Sequence, residues 1–160
     1  MDDDRDKIPA ILFLCLGNIC RSPLAEGAAR AAFTAAGIDA RLDSAGTGDW
    51  HVGRPPDPRA QAEARRRGID ISNLRARQLA REDFYRFDLI LAADTANLRE
   101  ARALAPADAT ARVRLMLDLV PERRGESVTD PYYGEDDGFA ATWDDVGAVA
   151  AALVAERSSG

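Results

Sequence analysis

Apolar residues along this chain fall into short dense runs and longer stretches at helical spacing, and the two kinds alternate. Ile11 to Leu14 is dense enough to be a strand buried on both faces. Ile38 to Ala45, Asp88 to Ala93 and Val113 to Leu117 read as three further strands. After the first, a turn from Cys15 to Arg21 leads into Ser22-Pro23, an N-cap followed by proline at the first helical position. That helix carries Leu24, Ala28, Ala31 and Ala32 and stops at Gly37. Gly46 to Gly53 is a loop, and Asp57-Pro58 opens a short helix to Arg67 that Gly68 closes. The run Arg65-Arg66-Arg67 reads as a solvated face of that helix. Leu74 to Phe84 reads as a turn with a short helix around Glu82-Asp83-Phe84. Asp94 caps a helix through Leu98 and Leu104 that ends before Pro106. Phe139, Trp143, Val146, Val149 or Ala150, and Leu153 recur at helical spacing in a last helix that begins after Gly138.

Strands alternating with helices predict an α/β fold, a doubly wound parallel sheet with right-handed crossovers and helices on both faces. No repeat, linker or low-complexity tract divides the 160 residues, so 1–160 is expected to be a single domain, with 1–7 and 157–160 as flexible ends. Hydrophobic residues at 46% and charged residues at 30% suit a soluble globular chain. A net charge of −6 argues against general nucleic-acid binding. Asp2-Asp3-Asp4 is the opposite of a basic signal-peptide start, and the tract Val146 to Ala155 is too short to span a bilayer. A cytoplasmic protein with no membrane partner is expected. Two cysteines in one turn make no disulfide framework, and with His51 they make no closed zinc site, so no metal or other cofactor is expected.

The turn between the first strand and the first helix carries the chemistry. Gly17 and Asn18 supply backbone freedom, and the loop amides converge with the positive end of the helix dipole on one point. No Gly-Lys-Ser/Thr follows, so this is not a nucleotide-binding Walker loop. It begins instead with a thiol, Cys15, and ends with a guanidinium, Arg21. Loop amides, dipole and Arg21 together favour a thiolate, and Arg21 can hold two phosphate oxygens while the sulfur faces phosphorus. That arrangement suits phosphoryl transfer through a phosphocysteine. Cys20 lies in the same loop. It either packs beneath it or stands close enough to trap an oxidised Cys15 as a disulfide.

Cys-Leu-Gly-Asn-Ile-Cys-Arg-Ser-Pro, with Asp130-Pro131-Tyr132-Tyr133-Gly134 far downstream, resembles the low-molecular-weight protein tyrosine phosphatase family over Ile8 to about Glu156. The resemblance implies a strand order 2-1-3-4 and a phosphate cradle of Leu16, Gly17, Asn18, Ile19, Cys20, Arg21 and Ser22. It gives Cys15 the nucleophile's role and Asp130 that of general acid and then base, although Asp-Pro is also a common turn opener. Asn18 would stiffen the loop and Ser22 would steady the thiolate. Trp50, Tyr132 and Tyr133 match substrate-lining positions, beside their plain reading as packing aromatics. Asn73 stands where many members have a histidine, so a supporting network would run from Ser44 through Asn73 to Asn18. The expected partners are phosphotyrosine proteins, with inorganic phosphate as product and inhibitor, and the protein itself is expected to be a monomer. Two alternatives are arsenate reductase on the same fold and a non-catalytic phosphotyrosine-binding module. The first is left without relay cysteines beyond Cys20, and the second has no use for a nucleophile.

Overall fold

The structure, a computed structural model, describes residues 8–131 and 137–159. Its first strand, β1 (Ala10–Cys15), is buried at every position. Alternate side chains serve different layers: Ile11, Phe13 and Cys15 join one apolar cluster, and Ala10, Leu12 and Leu14 join the other. A strand covered on both faces has no use for polar alternation, which is why the sequence is dense rather than patterned here. Burial of each large side chain contributes roughly 1.5–3 kcal/mol.

The other strands are β2 (Arg41–Gly46), β3 (Leu89–Ala92) and β4 (Arg112–Leu115). All pairings are parallel, in the order β2-β1-β3-β4. The helices are α1 (Arg21–Ala36), α2 (Pro58–Arg66), α3 (Asp83–Arg86), α4 (Thr95–Leu104) and α5 (Asp137–Ser159). Residues of α1, α2 and α5 cover one face of the sheet, and Phe84 of α3 and Ala101 of α4 help cover the other.

Several boundaries differ from expectation. Cys20, not Ser22, precedes α1: its carbonyl already accepts from the Leu24 N–H, so Ser22 sits inside the first turn. Pro23 is then the third helical residue, where a missing N–H still costs no helical hydrogen bond. Ile38 is drawn into the end of α1, its N–H bonded to the Phe33 carbonyl behind a left-handed Gly37, so β2 starts only at Arg41. Leu117 belongs to a 3₁₀ turn, Met116–Leu119, rather than to β4. Arg66 and Arg67 are not merely solvated, since both pair with Glu63, a carboxylate that α2 buries.

Residues 157–159 of the expected flexible end belong to α5, which continues through Ser159, and Gly160 lies outside the described residues. Extending a formed helix adds a hydrogen bond per residue at little cost. Residues 1–7 lie outside the described residues. The helical stretch Gly138–Ser158 is long and apolar enough to cross a membrane by length and composition, which the shorter tract did not suggest. Its Phe139, Val146, Val149 and Leu153 are nevertheless buried in the core, and the helix lies along α1.

Candidate active site

The turn after β1 opens at the C-terminal edge of the sheet, between the two strands that flank β1. Connections leave β1 and β3 on opposite sides there, and such crevices take ligands. Asn18 is the one residue of the turn in the left-handed region, at φ 59°, which an asparagine tolerates better than most residues. Gly17 leaves room for a neighbour instead: a Cβ on it would lie 2.9 Å from His51 Cδ2, so that the imidazole would have to shift.

Asn18 is buried and its side chain is satisfied on every side. Nδ2 donates to Ser22 Oγ at 2.8 Å and to Ser44 Oγ at 3.0 Å, and Oδ1 accepts from the Arg77 main-chain N–H at 3.0 Å. Ser44 passes its own proton to Glu26 Oε1 at 2.7 Å. A hydroxyl has one proton, so these directions leave the Ser22 hydroxyl free to donate to Cys15 Sγ, 3.0 Å away. The Asn18 N–H also donates to that sulfur, at 3.3 Å. Two donors therefore face Cys15, as a sulfur anion needs.

Glu26 is held in the first half of α1, all of which is buried. Burial pushes its pKa up, and the bonds from Ser44 and Arg30 only partly offset that. Asn73, expected in this network, is exposed and takes no part in it. The donor to the Asn18 oxygen is the Arg77 main-chain N–H rather than a side chain at position 73.

Arg21 is buried by α1 and held by its head. Nη1 donates to Asp94 Oδ2 at 2.9 Å and to the Val128 carbonyl at 3.3 Å, while Nη2 lies 3.6 Å from Asp130 Oδ2. Burial works against its charge, yet negative charge on Cys15, Asp94 and Asp130 raises its pKa above the ordinary value. Asp94 serves twice, because its Oδ1 also caps α4 through the Asn97 N–H.

Cys15, Cys20, Arg21, Trp50, His51 and Asp130 line one cavity of about 370 Å³, together with Leu16, Gly17 and Ile19. Cys20 is a buried free thiol whose pKa is pushed well up, first by burial and then by the charges of Asp57, Cys15 and Asp130. Trp50 is 68% exposed and stands at the mouth. Tyr132 and Tyr133 lie outside the described residues. Among the described residues no three or more His, Cys, Asp or Glu side chains gather as metal ligands would. The geometry offers a sulfur nucleophile, a fixed cation for an oxyanion and an accessible carboxyl group.

A family profile described as low molecular weight phosphotyrosine protein phosphatase matches residues 10–158. The chain belongs to that family. A low molecular weight phosphotyrosine protein phosphatase of Schizosaccharomyces pombe is 46% identical over 132 residues, 81% of this chain and 84% of that protein. The crystal structure of YfkJ from Bacillus subtilis superimposes with a TM-score of 0.88 at 35% identity, covering 97% and 98% of the two chains. A Drosophila protein described as an arginine phosphatase superimposes with a TM-score of 0.86 at 30% identity, covering 91% of this chain and 96% of the other. Membership in the low molecular weight phosphatases makes the chain a phosphoric monoester hydrolase and does not favour the arsenate reductase or binding-module readings.

Three contributors escaped the reading of the sequence: Glu26, Arg77 and the second role of Asp94. Asp94 was legible as a helix cap at the end of a strand, and that edge of the sheet is where Arg21 must lie. Nothing local marks Glu26 or Arg77.

Proposed function

We propose that this chain hydrolyses phosphotyrosine in proteins through a phosphocysteine on Cys15, with Arg21 and Asp130 as its catalytic partners. The observation that carries the reading is the convergence of all three side chains on one cavity, with the Arg21 head between the carboxylates of Asp94 and Asp130. The Cys15 thiolate attacks phosphorus, an S–P bond forms and the P–O ester bond breaks. Asp130 donates its proton to the departing phenolate oxygen, and Arg21 holds two equatorial oxygens throughout. Water then attacks phosphorus, Asp130 takes a proton from it, and the S–P bond breaks to return the thiolate and release phosphate. No step requires a cofactor. Loop residues 16–20 and Ser22 supply the cradle, and Asn18, Ser22 and Ser44 hold its shape.

Trp50 gives the mouth an aromatic character suited to a phenyl ring, and the family resemblance gives Tyr132 and Tyr133 the same substrate-lining role. We place the protein in the cytoplasm as a one-domain monomer acting on phosphotyrosine proteins, away from membranes and nucleic acids. Cys20 shares the cavity with Cys15: once peroxide has oxidised the Cys15 thiolate to a sulfenic acid, the Cys20 sulfur forms the S–S bond with it, the S–O bond breaks and water leaves.

The test is turnover of a phosphotyrosine peptide against phosphoarginine by the wild type, Cys15→Ser and Asp130→Asn. The peptide should be the preferred substrate. Cys15→Ser should lose turnover while still binding vanadate, since Arg21 and the amides remain. Asp130→Asn should slow the reaction by roughly 10²–10⁴ and flatten the alkaline fall in rate. Wild-type rates in Cys15→Ser, or preference for phosphoarginine, would overturn the assignment.

A further inference from the structure

We propose that Arg77 is a positioning residue of the phosphate loop, acting through Asn18 by way of a clamp between Asp43 and Asp83. The inference rests on Cys15 as the nucleophile, since Asn18 matters for what it does to the sulfur.

Residues Arg77 to Leu79 run beside the end of β2 as a short parallel extension of the sheet. The Gly46 N–H donates to the Arg77 carbonyl at 2.8 Å, and the Leu79 N–H donates to the Gly46 carbonyl at 2.8 Å. The Arg77 N–H points the other way, towards the loop, and Asn18 Oδ1 is its acceptor. This backbone segment therefore fixes where the Asn18 oxygen must lie. Rotation of the Asn18 amide would break this bond and both bonds from Nδ2, and with them the orientation of the Ser22 hydroxyl towards Cys15.

The Arg77 side chain is the charged anchor of the segment, beside Gln78, whose Nε2 donates to the Thr47 carbonyl at 3.1 Å, and Leu79, which is buried in the core. Nε and Nη2 of Arg77 donate to Asp43 Oδ2 at 3.1 and 3.0 Å. Nη1 and Nη2 donate to the two oxygens of Asp83 at 2.9 and 3.0 Å. Asp83 is 2% exposed and also accepts from the Ala80 N–H, so it is a rigid anchor rather than a surface partner. Asp43 precedes Ser44, the other acceptor of the Asn18 amide. One guanidinium thus ties the acceptor side of Asn18 and its donor side to the same frame. A planar two-sided fork can do this and an ammonium cannot.

The experiment is a double-mutant cycle of Arg77→Met and Asn18→Ala, read by kcat, by the pH profile of kcat/KM and by melting temperature. If Arg77 acts through Asn18, each single variant loses about tenfold or more in kcat, and the double variant is no worse than the poorer single, as expected for coupled neighbours. The acid limb of kcat/KM should move to higher pH in both, because the sulfur loses an oriented donor. Arg123→Met, which breaks the remote pair with Asp145, should lower the melting temperature and leave kcat and the acid limb where they were. Losses that multiply in the double variant, or an Arg77→Met protein that melts earlier with an unmoved acid limb, would overturn the proposal. Should Arg77→Met not fold, Asp43→Asn strips only the half-exposed arm of the clamp and should lower kcat about two- to threefold, coupled to Asn18 in the same way. No change there also overturns it. Cys15→Ser run alongside separates the two readings: turnover in that variant strikes the nucleophile assignment, whereas multiplicative losses with an inactive Cys15→Ser strike this inference alone.

Discussion

At the scale of single residues, the site depends on hydrogen-bond direction. From Glu26 to Cys15 each donor has one place to go: Ser44 to Glu26, Asn18 to Ser44 and Ser22, and Ser22 to sulfur. Glu26 anchors this chain, and its burial raises its pKa in the folded state. A carboxyl group with a raised folded pKa contributes stability that is fully present below its unfolded pKa and lost as pH rises through the folded one. Glu26→Gln removes that titration while keeping the shape and the oxygen that accepts from Ser44. The melting temperature of Glu26→Gln should therefore gain on the wild type as pH is raised from about 4 to 8. A shift of about 1 kcal/mol would read as ~2–4 °C in a chain of this size. Arg30, half-exposed and screened by water, is expected to offset only part of the effect. A wild type that instead gains on Glu26→Gln as pH rises would mean the Arg30 pair outweighs burial. Residue chemistry was legible where a type and a spacing coincide, as at Cys15, Arg21 and Asp130. It was not legible for Glu26, because a glutamate early in a helix has an ample explanation in the dipole alone. Nor was it for Arg77, whose contact with Asn18 is made by a backbone N–H that no side-chain pattern records.

At the scale of elements, the phosphate loop is shaped by what packs under it. Gly46 ends β2 against the loop: a Cβ there would stand 2.7 Å from the Leu16 carbonyl oxygen and 3.2 Å from the Asn18 nitrogen. Both are backbone atoms, so no side chain can swing away and the loop itself must shift. Gly46→Ala should therefore cost activity out of proportion to stability. We expect about tenfold or more in kcat, as small misplacements in a site can cost as much as 10²-fold, with a melting temperature lowered by only a few degrees. Steady-state rates beside a thermal melt decide it. Full activity in a folded Gly46→Ala would show that the loop tolerates the displacement. Strand and helix identities followed from density and period, since β1 is buried throughout and α5 carries its apolar residues at helical spacing. Boundaries were missed where a cap or a turn took over the end of an apolar run. Ile38 looks like a strand residue and is spent on the end of α1, and Leu117 is spent on a 3₁₀ turn.

At the scale of the whole molecule, the sheet carries the site at one edge, and the core that supports it extends well away from that edge. The alternation of strands and helices made the layered parallel sheet legible, and the loop at its C-terminal edge followed from that topology. The support that α5 gives the loop was not legible, because it passes through three residues distant in sequence. Phe139 of α5 packs under the Arg59 guanidinium at 4.9 Å, Arg59 binds Asp57, and the Asp57 N–H donates to the Ile19 carbonyl in the loop at 2.9 Å. Leu153 lies farther along the same helix, equally buried, and borders the crevice formed with Pro9, Asp88 and Arg112 below the other end of the strands. Truncation at either position leaves a cavity in the same cluster. Leu153→Ala should cost about 2–5 kcal/mol and Phe139→Ala about 3–5 kcal/mol, by denaturant melts. Their activities should nevertheless part. At a temperature where both variants are folded, Leu153→Ala should turn over within about twofold of the wild type, since distant sites with no shared partner act independently. Phe139→Ala should lose about threefold or more in kcat, because Arg59 loses the ring it packs over and holds Asp57, and through it the Ile19 end of the loop, less firmly. Equal activity in the two variants at matched folded fraction would mean that the loop is insulated from α5, and that Asp57 holds Ile19 without help from the helix.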